Sequence, residues 1–235
     1  MQSNKKLIDL SIILPCYQEA ENLELLIPRI IQTLEVQNIE FEIIIVDTEK
    51  AMDETPSISQ KFKTIYVNRA HGNSYGNAIR TGIATARGGN ILFMDADGSH
   101  PPEFIPQLLE FSHEYDVVIA SRYIASGGTK NSFALESMSR ILNWSYAIVL
   151  NIPCKDVSNS FRVYKGDKLK SLSLNCDNFD IVEEILVKLV RKYNVIRFKE
   201  VPFVFEMRQF GKTKRNLFLF ILTYIYTLMR LRLSK

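Results

Sequence analysis

Short, nearly continuous apolar runs alternate along the chain with longer stretches whose apolar residues recur every three or four positions. The runs are Leu10–Leu14, Phe41–Val46, Thr64–Val67, Ile91–Met94 and Val117–Ala120. Runs of this length without polar alternation predict strands buried on both faces. Between the first two, Glu19–Leu34 sets Leu23, Leu26, Ile27, Ile30, Ile31 and Leu34 on one face of a helix. Asp53–Phe62 predicts a short helix with Pro56 near its start. Ser74–Arg87 predicts a helix whose small residues, Gly76, Ala78, Gly82, Ala84 and Ala86, permit close packing on a sheet, with Gly88-Gly89 as its terminator. A further helix follows Pro102. Strand–helix alternation from Leu10 to Ala120 predicts an α/β fold: a mostly parallel, doubly wound, Rossmann-like sheet with flanking helices and right-handed crossovers.

Beyond Ala120 the pattern is irregular. Ala125–Ser132 is Gly/Ser-rich and predicts a mobile loop. Phe133–Leu150 and Asp180–Tyr193 predict helices, and Phe161-Arg162-Val163-Tyr164, inside the polar stretch Asp156–Lys165, predicts a returning strand. Val195–Phe205 predicts a strand that Pro202 places at a sheet edge. The chain closes on Asn216–Lys235. Here Leu217–Met229 is apolar or aromatic except for Thr223 and Thr227, short of the roughly 20 residues that span a bilayer. On a helix Thr223, Thr227, Arg230 and Ser234 align as one polar stripe. Lys212, Lys214 and Arg215 precede the segment, and Arg230, Arg232 and Lys235 end it. This predicts a C-terminal amphipathic helix, lying in an anionic membrane interface or docked on the domain's own core.

Composition narrows the class. The 235 residues, 46% hydrophobic and 23% charged, are ample for a globular core. A net charge of +3 argues for no nucleic acid partner. Three widely spaced cysteines, Cys16, Cys154 and Cys176, indicate neither a disulfide framework nor a zinc site. Met1–Lys6 is polar with no apolar signal region, so the expected location is cytoplasmic, peripheral at the cytosolic face of a membrane.

The candidate chemistry lies where the strands end: Pro15-Cys16-Tyr17, Asp47, Asn68-Arg69, Asp95/Asp97 and Ser121-Arg122. Open α/β sheets bind ligands at that edge. Asp95 and Asp97, two residues apart after a buried strand, point to one side of an extended chain. Two hard oxygen ligands suit Mg2+ or Mn2+ holding a diphosphate. Arg122, Arg208 and Lys214 are the candidate cations for an incoming phosphate, because an anionic acceptor needs orientation rather than a base. On the same ground His100, flanked by Pro101-Pro102, is expected to shape its loop rather than act as base or ligand.

These residues resemble a known family. Pro15-Cys16-Tyr17-Gln18-Glu19-Ala20-Glu21-Asn22-Leu23 resembles the P-x-Y-N-E-x-x-N-L opening of family 2 glycosyltransferases of GT-A fold. Asp95-Ala96-Asp97-Gly98-Ser99-His100-Pro101-Pro102-Glu103 resembles their D-x-D with the H-P-P-E tail of the dolichol-phosphate mannosyltransferase, or polyprenyl-phosphate, branch. Ala120-Ser121-Arg122-Tyr123 is similar to G-S-R-Y, and Asp156-Val157-Ser158-Asn159-Ser160-Phe161-Arg162 to D-x-T-S-G-F-R. Pro202-Phe203 with Arg208-Gln209-Phe210-Gly211-Lys212-Thr213-Lys214 is similar to V-P-F…R-x-x-G-x-S-K. All stand in the family's order.

The resemblance implies an inverting hexosyltransferase. It would move mannose or glucose from a nucleotide sugar, of GDP-mannose or UDP-glucose type, to a polyprenyl (dolichyl or undecaprenyl) phosphate at a membrane surface, with a membrane-protein partner as a further expectation. It implies nucleotide-sugar contacts at Pro15, Tyr17, Glu19, Asp47, Asp95, Ala96 and Asp97. The metal ligands would be Asp95, Asp97 and Ser99; the acceptor phosphate would meet Arg122, Arg208 and Lys214, with Asp97, Arg122 and Arg208 catalytic. The transferase domain would occupy 1–210 (nucleotide-sugar half 8–123, acceptor half 124–210) and the C-terminal helix 211–235. Several positions depart from the pattern. Thr48 stands for the second Asp of V-D-D, Gly72 for a Lys, Ser99 for a Gln, Ser160 for a Gly, and Leu135 for an Arg that Arg140 would replace. Two other readings remain open: a same-fold transferase for a soluble or glycan acceptor, with Glu183 or Glu184 as base, and a non-catalytic module binding nucleotide sugar or lipid phosphate.

Overall fold

The computed structural model describes residues 7–130, 132–206 and 217–233, with 217–223 as backbone only. Strands β1 (Leu10–Pro15), β2 (Phe41–Asp47), β3 (Ile65–Asn68), β4 (Asn90–Phe93) and β5 (Val117–Ser121) alternate with helices α1 (Ala20–Glu35), α2 (Thr55–Lys61), α3 (Tyr75–Thr85) and α4 (Ile105–Glu110). A 3-10 turn at Pro102–Phe104 leads into α4. Then follow β6 (Gly128–Thr129), α5 (Phe133–Leu150), β7 (Arg162–Lys165), α6 (Gly166–Lys170), α7 (Ile181–Lys192), β8 (Phe198–Pro202), β9 (Val204–Phe205) and α8 (Leu217–Leu233).

Seven strands form one sheet in the order β3-β2-β1-β4-β7-β5-β8. All neighbours are parallel except those of β7, which returns antiparallel between β4 and β5. This is the α/β, mostly parallel, doubly wound architecture the apolar pattern predicts. The first three strands wind one way from β1, and β4 starts on its other side. The order therefore reverses between β1 and β4, where α/β sheets open a ligand crevice at the strands' carboxyl ends.

Side-chain alternation divides the core between the two faces of the sheet. Leu10, Ile12 and Leu14 of β1 pack with Leu23, Leu26, Ile27 and Ile30 of α1 and Leu108 of α4. Ile13, from the same strand, packs with Ala78, Ile79 and Ile83 of α3, and that side continues through Tyr146 of α5 and Ile185 of α7. The small residues of α3 serve as expected. A Cβ on Gly82 would stand 2.4 Å from Ile13 Cγ2, so α3 and β1 approach more closely than a larger residue permits.

Four segments differ from the sequence expectation. Helix α3 stops at Thr85, because Ala86 turns extended (ψ 140°) before Gly88 is reached. The N–H groups of Arg87 and Gly88 donate to Ser11 Oγ at 3.1 and 2.7 Å, and Arg87 N–H also to Glu42 Oε1 at 2.6 Å. Within 195–205 pairing starts at Phe198 and breaks at Phe203, whose N–H turns to the Ser121 carbonyl at 2.9 Å; Pro202 does end an edge strand. The Gly/Ser-rich 125–132 stretch is pinned by β6, which pairs with β9. Finally, the polar stripe of α8 does not face solvent at Thr227. Thr227 is buried and donates to Asp180 Oδ2 at 2.9 Å, beside buried Tyr224 and Leu231. Tyr146 Oη donates to the Tyr224 carbonyl at 2.9 Å. The helix is thus docked on the domain, while Ile225, Tyr226, Met229 and Leu233 face outward with Arg230 and Arg232. No helix among the described residues is long and apolar enough to cross a membrane.

Candidate active site

The carboxylate pair stands at the sheet's switch point. Met94 N–H donates to the Ile13 carbonyl at 3.2 Å, tying the exit of β4 to β1. The next residue, Asp95, donates its N–H to His100 Nδ1 at 3.0 Å and accepts Ser160 Oγ at 3.1 Å on Oδ1. Asp97 Oδ1 accepts both Ser99 N–H (3.0 Å) and Ser99 Oγ (2.6 Å), closing a turn that Gly98 completes at φ 82°. A side chain at that positive φ would be strained, which makes glycine the suitable residue there.

His100 lies fully buried under the pair, flat on Phe161 (4.7 Å between ring centres, 8° between planes) and against the edges of Phe203 and Phe205. Burial drives its pKa below the ordinary value, although Asp95 and Asp97 pull the other way. Because Nδ1 accepts a hydrogen bond, the neutral ring carries its proton on Nε2. His100 therefore shapes the loop, as its flanking prolines imply.

Among the residues expected to meet the nucleotide sugar, Tyr17 is half-exposed beyond Pro15, and Glu19 is buried and accepts Asn22 Nδ2 at 2.6 Å. Asp47 is buried at the end of β2. Its Oδ1 accepts Thr48 N–H at 2.7 Å, and its Oδ2 accepts Tyr66 Oη at 2.9 Å. Burial and that bond to Asp47 push the Tyr66 phenol up to about 12. Arg69, which stands near the missing Lys of the family pattern, is also buried; it donates to the carbonyls of Cys16 and Asn73 and so braces the ends of β1 and β3. One residue that sequence reasoning gave no role is Asp53. It accepts the N–H of Ala20 at the start of α1 (2.9 Å) and that of Thr55 at the start of α2 (3.0 Å). The partial positive charge of both helix ends suits a carboxylate there.

Arg122, expected to meet the acceptor phosphate, forms a fork with Asp156. Nε and Nη2 donate to Asp156 Oδ2 (2.8 Å) and Oδ1 (2.7 Å), Nη2 also to Ser158 Oγ (2.9 Å), and Tyr123 and Phe205 flank the guanidinium. Burial works against the charge, but Asp156 outweighs it and holds Arg122 protonated. The Asp156 partner was present in the D-x-T-S-G-F-R-like motif without a role being assigned to it. Leu135 is exposed, and Arg140 pairs with Glu136 at 2.8 Å while lying over the Tyr123 ring. Arg208 and Lys214 lie outside the described residues. Glu184 accepts the N–H groups of Asn175 and Cys176 and pairs with Lys188, so its oxygens stabilise a turn. Glu183 is buried.

Asp95, Asp97 and the Ser99 hydroxyl form an all-oxygen donor set, which fits a hard divalent cation. Among the described residues no group of three or more His, Cys, Asp or Glu side chains could hold a metal ion. A cation held here would draw its remaining ligands from outside the protein, as Mg2+ does when it binds through one or two carboxylates and substrate phosphates.

Comparison with known proteins agrees with the fold. Residues 11–172 match the family model Glycosyl transferase family 2. The chain is 33% identical over 230 residues to a dolichol-phosphate mannosyltransferase of Pyrococcus furiosus, covering 94% of this chain but 63% of that protein's length. It is 27% identical over 222 residues to an undecaprenyl-phosphate mannosyltransferase of Micrococcus luteus, covering 87% and 86% of the two chains. Among solved structures, glucosyl-3-phosphoglycerate synthase from Mycobacterium tuberculosis, in complex with Mn2+, UDP and phosphoglyceric acid, superposes with a TM-score of 0.71 at 16% identity, over 97% of this chain and 80% of that one. The similarity to that structure is one of fold.

Proposed function

The chain belongs to glycosyl transferase family 2, and from that membership we propose that it moves a hexose from a nucleotide diphosphate sugar to a polyprenyl phosphate, inverting the anomeric carbon. The observation that carries the proposal is the Asp95/Asp97 pair at the β1/β4 switch point, an all-oxygen site where a diphosphate would lie. The relatives named for dolichol phosphate and undecaprenyl phosphate support a lipid acceptor. So does the outward apolar face of α8, bordered by Arg230 and Arg232, which suits an anionic membrane surface.

In this reading Tyr17, Glu19 and Asp47 line the nucleoside end, and Asp95 and Asp97 face the diphosphate. Bound Mg2+ or Mn2+ supplies charge neutralisation for the leaving nucleoside diphosphate. An oxygen of the acceptor phosphate forms the new bond to the anomeric carbon as the bond to the diphosphate breaks. The acceptor is already an anion near neutral pH, so no proton has to be removed. The chain's task is then to orient two anions without repulsion. Arg122 is held charged beside the site, and Arg208 and Lys214 are the further proposed cations. The engagement of Glu184 in a turn weighs against its service as a base for a neutral acceptor.

The test offers radiolabelled GDP-mannose and UDP-glucose, separately, to the protein with membrane lipid, with and without Mn2+. Metal-dependent label in the lipid phase is expected. Label passing to a water-soluble acceptor without lipid phosphate, or tight nucleotide binding without turnover, would overturn the reading.

A further inference from the structure

Asp95 is held from three sides. Its N–H is taken by His100 Nδ1, its Oδ1 by Ser160 Oγ, and its Oδ2 faces His100 Nε2 at 3.9 Å. That Nε2 is a buried donor with no partner at full hydrogen-bond distance among the described residues, although the Asn159 side chain lies near enough to favour the protonated ring. A buried donor left unsatisfied is costly and uncommon. It lies about one ångström beyond hydrogen-bond reach of a carboxylate oxygen, on a ring that cannot shift easily because Phe161, Phe203 and Phe205 enclose it. Asp95 is the movable partner, since its side chain is about a third exposed whereas that of His100 is fully buried.

We infer that His100 and Ser160 are positioning residues that together orient the Asp95 carboxylate for a divalent cation, and that the Nε2–H of His100 closes onto Oδ2 when the site is loaded. The inference rests on the metal-dependent reading proposed above. Carboxylates that ligate metals are themselves hydrogen-bonded by neighbours that fix their orientation. Ser160 arrives from the turn before β7, which lies beside β4 in the sheet, so the sheet itself carries that hydroxyl to the carboxylate. It also gives a purpose to a departure from the family pattern: the hydroxyl at position 160 stands where the motif has glycine, and it lands on the first Asp of the pair. Neither residue touches the substrate in this scheme; both act through Asp95.

The experiment titrates Mn2+ into the protein at saturating GDP, and separately at saturating UDP, and reads nucleotide binding by calorimetry rather than turnover. Ser160→Ala removes one hydroxyl. His100→Asn leaves an oxygen near the Nδ1 position for the Asp95 N–H and removes the Nε2 donor. Each variant is expected to need about 10–100-fold more Mn2+ for the same nucleotide binding. Melting without metal should stay unchanged for Ser160→Ala, and Ser160→Thr, which restores a hydroxyl, should restore the Mn2+ requirement. If His100→Asn does not fold, Ser160→Ala decides. Variants that take up Mn2+ at the concentration the unaltered protein needs would overturn this proposal alone. An unaltered protein whose binding of both nucleotides ignores Mn2+ would overturn the metal reading and this inference with it.

Discussion

At Arg122 two demands meet in one guanidinium. Its fork is taken up by Asp156 and Ser158, yet it stands at the carboxyl end of β5 beside the proposed acceptor site. Its side chain is 12% exposed and that of Asp156 0%, so truncating either partner buries an uncompensated charge. Arg122→Ala is expected to lower unfolding stability by about 3–5 kcal/mol, read as a shift in the urea midpoint. Lost transfer in that variant therefore speaks first to folding. Asp97 is the cleaner probe. Its Oδ1 accepts from Ser99 in the same turn, and Asn keeps an acceptor for that bond. Asp97→Asn should leave the melting temperature in place and cut transfer by about 100-fold or more, because a cation at a leaving phosphate contributes several kcal/mol. The pair was legible in sequence because both carboxylates follow one apolar run. The ties of Arg122 to Asp156 and of Asp95 to Ser160 were not, since 34 and 65 residues separate the partners and only the fold joins them.

Among the elements, α8 has its polar and apolar sides arranged against solvent convention. Thr227 points inward to Asp180, and Ile225, Tyr226, Met229 and Leu233 point out. Counting polar residues around the helix could locate the stripe but not its direction, which Tyr146 and Asp180 of the domain decide. If the outward face meets lipid, Ile225→Glu with Met229→Glu should weaken binding to anionic vesicles about tenfold or more, with unchanged melting in solution. At the opposite, amino-terminal end of the sheet, Glu42 joins β1, β2 and the exit of α3 through Ser11 and Arg87. Burial opposes its charge, but the bonds from the Ser11 hydroxyl and Arg87 prevail and hold its pKa below the ordinary 4.5. A carboxyl depressed in the folded state contributes stability above its unfolded pKa and loses it as pH falls through the folded value. Glu42→Gln should therefore reduce stability at pH 7, and the difference from the unaltered protein should shrink below about pH 4.5 when urea midpoints are compared across pH. The sequence named the elements around this network correctly but ran α3 two residues too far, because the Ser11 and Glu42 acceptors that draw off Arg87 and Gly88 lie on other strands.

For the molecule as a whole, the alternation of strand and helix was readable to Ala120 because each crossover is local. The completion of the sheet was harder to read. β7 enters between β4 and β5 from far along the chain, and its four residues carry Arg162, a fully buried cation whose Nη2 donates to the carbonyls of Asp156 and Val157. That insertion brings the 156–160 turn against the carboxylate pair, so the site depends on long-range pairing and on both halves of the chain. A ligand that bridges the halves should then stabilise the whole fold. A nucleoside diphosphate with Mn2+, bound at 100 times its dissociation constant, adds about 2.7 kcal/mol if the unfolded chain does not bind it. For a chain of this size that corresponds to a melting shift of roughly 5–10 °C. The shift should require metal and nucleotide together, vanish with chelator, and be absent in Asp97→Asn. A full shift from nucleotide alone would mean that the diphosphate is held by the protein's own cations, and the two carboxylates would then need another explanation.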